Sequence, residues 1–194
     1  FWTSSSESYP MLFNYDGTTI ATVAHNSNPT TVYPKYSTNL GDTVIAATCT
    51  GDTTSFIGNF GGSNSFLGIA GAGIATCTGA TASQFMWISY NQSNFSSYSY
   101  FTSNGGQTYT STSLASILDA VQASNQNFDG FLCLNFHAGR WVALFQKTDL
   151  GVFAITSKNN GTTWSSAVKV FDFNNSNASG TEGLVQVFSH NGTF

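Results

Sequence analysis

Carboxylates are the first side chains in this sequence whose spacing suggests chemistry. The 194 residues hold nine acids, and three of them stand ten residues before a glycine: Glu7 before Gly17, Asp129 before Gly139 and Glu182 before Gly192. Asp52 stands in the same relation to Gly62. Repeated units arranged about one axis would bring such acids together, where they bind a cation or a sugar or supply an acid/base pair for glycoside hydrolysis. The same placement suits strand starts, where a carboxylate accepts hydrogen bonds from exposed backbone N–H groups without any ligand. Both readings stay open.

Other reactive side chains are sparse. Arg140 is the sole arginine and stands beside Trp141, which allows a surface cation–π contact as readily as a ligand clamp. His25, His137 and His190 show no metal-ligand spacing, and the sequence implies no metal and no cofactor. Trp87, Tyr90, Tyr98 and Tyr100 lie close together. Rings alternating along a strand would offer sugar-stacking platforms on one face and core residues on the other. Cys49 and Cys77 sit in two copies of the pentapeptide Ala-Thr-Cys-Thr-Gly, and Cys133 lies in an apolar run. A Cys49–Cys77 disulfide and two buried thiols are both open. Sequons occur at Asn91, Asn94, Asn160, Asn174, Asn177 and Asn191, so glycosylation is permitted.

The composition describes the scaffold for these groups. Charged residues make up 7% of the chain, against about 25% in ordinary soluble domains, while hydrophobic residues reach 41% and aromatics 15%. Ser, Thr, Asn and Gly replace the Lys and Glu of helical surfaces, a palette that suits strands and turns. The expected class is all-β. Five scattered basic residues and a net charge of −4 leave no stripe for phosphates, so nucleic acid is not an expected partner. No run of about 18 apolar residues is present to span a membrane. Phe1 is not an initiator Met, and the chain is read as processed or partial.

Three segments then share one pattern. They are Ser37-Thr38-Asn39-Leu40-Gly41-Asp42-Thr43-Val44, Thr102-Ser103-Asn104-Gly105-Gly106-Gln107-Thr108-Tyr109 and Ser157-Lys158-Asn159-Asn160-Gly161-Thr162-Thr163-Trp164. Asn supplies side-chain bonds to nearby backbone, Gly takes a positive φ, and the last residue packs under the turn. Equal offsets back from Asn39, Asn104 and Asn159 give matching strand pairs. The nearer strands are 31–37, 96–102 and 151–157, and the farther ones 20–26, 85–91 and 140–146. A further strand over 130–139 precedes the third pair, and an alternating strand over 167–173 follows the third turn. Ser113–Ser124 carries apolar residues at helical spacing and predicts a short helix.

The pattern resembles the Asp-box of sialidase-like β-propellers, with Asn where that family usually has Asp. The copies lie 65 and 55 residues apart, a blade-like period. The implied fold is a partial β-propeller of about three four-stranded blades, at about 7–50, 52–115 and 129–173, with the first strand of another at 182–194. The missing blades would come from a longer chain or from further copies of this one. In that family the boxes lie on the blade periphery, so Asn39, Gly41, Asn104, Gly106, Asn159 and Gly161 are expected to be structural. Sialidases hold the substrate carboxylate with three arginines; one arginine makes sialidase activity of this chain unexpected. The expected function is a non-catalytic module, binding a glycan or surface receptor or serving structure alone, on a secreted, cell-surface or virion appendage protein. The alternative is a non-sialidase glycoside hydrolase using paired channel acids. Candidate ligand-binding residues are Glu7, Asp52, Asp129, Glu182, Trp87, Tyr90 and Arg140.

Overall fold

The computed structural model describes residues 7–26, 32–51, 75–91, 96–121, 128–147 and 151–172. They form thirteen strands and one helix, so the all-β expectation holds. The first sheet is a meander of β1 (Glu7–Tyr15), β2 (Ile20–Asn26), β3 (Val32–Ser37) and β4 (Ile45–Ala46). The third repeats that order with β10 (Phe128–His137), β11 (Arg140–Lys147), β12 (Gly151–Ser157) and β13 (Val168–Phe171). In each, every neighbouring pair is antiparallel.

The middle sheet departs from four antiparallel strands. Its order is β5-β9-β8-β7-β6, made of β5 (Thr48–Thr50), β6 (Ala75–Thr78), β7 (Phe85–Asn91), β8 (Ser96–Thr102) and β9 (Thr108–Ser113). β5 pairs in parallel with β9. The chain thus leaves the first sheet at Ala46 and joins the outer edge of the second, where a first unit ending near residue 50 was expected. Ala47 makes the crossing: its N–H donates to the Pro34 carbonyl of the first sheet, and Thr48 N–H donates to the Gln107 carbonyl of the second. The Gly-rich stretch 58–73 and the segment 182–194 lie outside the described residues.

This order closes the disulfide question. β5 with Cys49 and β6 with Cys77 are the two edges of one sheet, with three strands between them. At about 4.8 Å per strand they stand roughly 19 Å apart, beyond the 7 Å or so a disulfide spans.

Strand periodicity explains how the sheets stack. Along β7, Phe85 and Trp87 enter one apolar cluster with Ala47, Tyr100 and Tyr109, while Met86 and Ile88 enter another. The second cluster holds Trp141, Ala143, Phe145, Phe153 and Ile155 of the third sheet. A strand apolar on both faces belongs to a sheet covered on both sides. The middle sheet is that sheet: Tyr36 of β3 and Ala47 reach one face, and β11 and β12 cover the other.

The helix α1 (Ala115–Val121) wedges into the second cluster through Leu118, with Leu114 just before it, at the place its periodicity predicts. Lys147, 2% exposed, donates from Nζ to the Leu118 carbonyl at 3.0 Å. Burial pulls its amine below the ordinary value, and Asp119 partly restores it. A cation beside late helical carbonyls offsets the charge of the helix end.

Candidate functional site

The three boxes are one hydrogen-bond circuit built three times. In the first, Ser37 Oγ donates to Asn39 Oδ1 at 2.9 Å, Thr43 N–H donates to the same oxygen at 2.9 Å, and Asn39 Nδ2 donates to Thr43 Oγ1 at 2.6 Å. Gly41 N–H closes the turn on Ser37 Oγ at 2.8 Å. Thr102, Asn104, Gly106 and Thr108 repeat these bonds at 2.8–3.1 Å. Ser157, Asn159, Gly161 and Thr163 repeat them at 2.9–3.0 Å. The box glycines have φ of 95°, 86° and 80°, as the motif requires. The residue before each of them, Leu40, Gly105 and Asn160, also has positive φ, 56°, 66° and 55°. The pattern fixes no residue type at that position, so nothing in it announced this.

Each later box also seats on the sheet before it. A Cβ at Gly106 would strike Ala21 Cβ on β2, and one at Gly161 would meet Met86 Cε on β7 at 2.9 Å. Ala21 pairs with Tyr36 and Met86 with Phe101, in each case one step inside the pair that holds the box Ser or Thr. The contact therefore recurs at the same register position. The residue ending the box packs there too: Tyr109 is 1% exposed, and Trp164 Nε1 donates to Ser99 Oγ at 3.1 Å. The second and third boxes are thus points at which one sheet touches the one before it.

The acids do not share a register position. Ile20 pairs with Ser37 and Trp141 with Ser157, which makes these two residues equivalent. Six residues further along, Asn26 pairs with Glu7 while Lys147 pairs with Phe128. Glu7 thus matches Phe128, and Asp129 matches Ser8, both of the latter lying at strand irregularities. The equal spacing to glycine misled because the glycines differ in place. The β10–β11 turn sets Ala138 and Gly139 at φ 48° and 76°, the two-residue form favoured by hairpins, while in the β1–β2 turn Gly17 sits one position earlier. Asp52 and Glu182 lie outside the described residues.

Trp87 is fully buried, with its ring stacked on Tyr100 at 4.1 Å and edge-on to Tyr109 at 6.4 Å. The candidate ligand-binding role of Trp87 is corrected: of the two readings open for its ring, the core one holds, because its strand face meets the first sheet. Tyr90 lies on β7 opposite Ser97. Arg140 opens β11, half-buried and paired with His137.

A polar cluster that the sequence reading passed over lies where the first two sheets meet. Asp16 Oδ1 accepts from Thr18 N–H at 2.9 Å, Thr18 Oγ1 at 2.8 Å and Thr19 N–H at 2.6 Å. Ser83, in the turn between β6 and β7, adds a side-chain bond, and Gly105 N–H donates to the Ser83 carbonyl at 2.9 Å. The Asp16-Gly17-Thr18 string was the available signal, a turn dipeptide followed by a hydroxyl. Burial would raise the Asp16 carboxyl, but the bonds from Thr19, Thr18 and Ser83 outweigh it and hold the carboxyl below its ordinary 3.8. A carboxyl lowered on folding stabilises the fold above its unfolded value, and that contribution disappears as pH falls through the folded one. Asp16→Asn should therefore flatten the stability profile below about pH 4 and leave its alkaline side unchanged. Urea titrations at stepped pH check this; parallel acid limbs for both proteins would contradict it.

Among the described residues no group of three His, Cys, Asp or Glu side chains is placed to hold a metal ion, and no helix is long and apolar enough to cross a membrane. Comparison of the chain with family models and with curated proteins returns no match.

Proposed function

We propose that this chain is a segment of an Asp-box-type β-propeller that serves as a non-catalytic recognition or structural module of an extracellular, cell-surface or virion appendage protein. One observation carries the reading. The same box circuit occurs in three successive sheets, and the second and third boxes seat at one register position of the preceding sheet. Serial docking of equivalent sheets is the geometry on which propeller blades depend. The sparsely charged, hydroxyl- and amide-rich composition suits neutral ligands such as glycans. A longer polypeptide or further copies would supply the remaining blades.

The hydrolase alternative rested on carboxylates at one repeat position. Glu7 and Asp129 occupy different register positions, which removes that support. A glycan array probed with the purified chain, together with a fluorogenic sialoside assay, tests the proposal. Binding to a defined neutral glycan without turnover is the expected result. Turnover of the sialoside would overturn the non-catalytic reading, and a blank array would leave the structural role alone.

A further inference from the structure

Asn160 stands apart from the other polar side chains of the third box. The circuit of that turn runs through Asn159, whose Oδ1 and Nδ2 are both engaged. Asn160 projects from the turn, exposed, and its Oδ1 accepts from Trp141 Nε1 at 3.3 Å. The bond anchors the amide by its oxygen and leaves Nδ2 outside the box circuit. Asn160-Gly161-Thr162 is also an Asn-x-Thr sequon, and Thr162 is exposed.

We propose that Asn160 is an N-glycan acceptor. The assignment rests on the extracellular reading above, because the modification belongs to a secretory route. The co-reactant is a lipid-linked oligosaccharide. Asn160 Nδ2 forms the bond to C1 of its first sugar, the bond from C1 to the lipid pyrophosphate breaks, and the amide proton leaves with the pyrophosphate. The substituted nitrogen keeps one N–H and Oδ1 still accepts from Trp141, so every bond of the folded turn survives modification. Asn91, the other sequon asparagine within the described residues, lies on β7 paired with Ser96. Asn159 is followed by Asn160 and Gly161 and is no sequon. The glycan would stand at the rim of the third box, clear of buried Gly161, which faces Met86.

The test expresses the whole chain behind a secretory leader in a eukaryotic host, beside Asn160→Gln. Peptide mapping after amidase release of glycans reads occupancy at Asn160 in the secreted and retained fractions. The expected result is an occupied Asn160 in the secreted fraction, with a melting temperature within a degree or two of Asn160→Gln. A secreted chain bare at Asn160 overturns the assignment. So does a glycosylated chain held back while Asn160→Gln is exported, since the glycan would then be incompatible with the fold. If neither form is exported, the extracellular reading fails; occupancy is then read on retained chains, where a bare Asn160 overturns the assignment separately.

Discussion

Gly106→Val should lower the unfolding free energy by about 2–5 kcal/mol, from two sources that a control separates. A β-branched residue at positive φ costs about 1–2 kcal/mol in strain. Forcing a side chain into a packed contact adds roughly 1–3 kcal/mol. Gly106 meets both conditions, with φ 86° and a direction for Cβ that runs into Ala21 Cβ. Gly139 meets the first alone, with φ 76° and nothing within 4 Å of its built Cβ. Gly139→Val should therefore lose only the strain. Equal losses in chemical denaturation would mean that the box turn does not bear on the first sheet.

Trp87→Ala should be more damaging, at about 3–5 kcal/mol, the range for a large aromatic removed from a core. The ring is fully buried and shares its cluster with Phe85, Tyr100 and Tyr109, so truncation opens a cavity between two sheets. Trp87→Phe keeps most of the stack on Tyr100 and should cost less than half as much. Any glycan binding would be lost with Trp87→Ala only as the fold is lost, and retained in Trp87→Phe. A variant that melts like the parent but loses binding would return Trp87 to the ligand-binding role for which the sequence made it a candidate.

Several elements were legible because their physics is local. The box circuit closes within seven residues, from Ser37 to Thr43, so the spacing of Ser, Asn, Gly and Thr specifies it without tertiary help. Equal offsets back from the three box asparagines placed β2, β7, β8, β11 and β12 within a residue of their ends, and helical spacing placed α1 inside Ser113–Ser124. The acid alignment failed for a reason of the same scale. Two hairpins of equal length put glycine at different turn positions, and a one-residue slip changes which residues are equivalent along the strand.

The sequence by itself therefore determined the strand class, the three turns and the repeat, since hydrogen bonds and periodicities over a few residues decide them. Tertiary structure alone decided which sheet Thr48–Thr50 joins, that Trp87 is core, and that Gly106 and Gly161 are contact points as well as turn glycines. The physical reason is that both faces of a strand look alike in sequence when both are apolar. Phe85, Met86, Trp87 and Ile88 form one unbroken hydrophobic run, and only the sheets stacked on either side give each residue its partner.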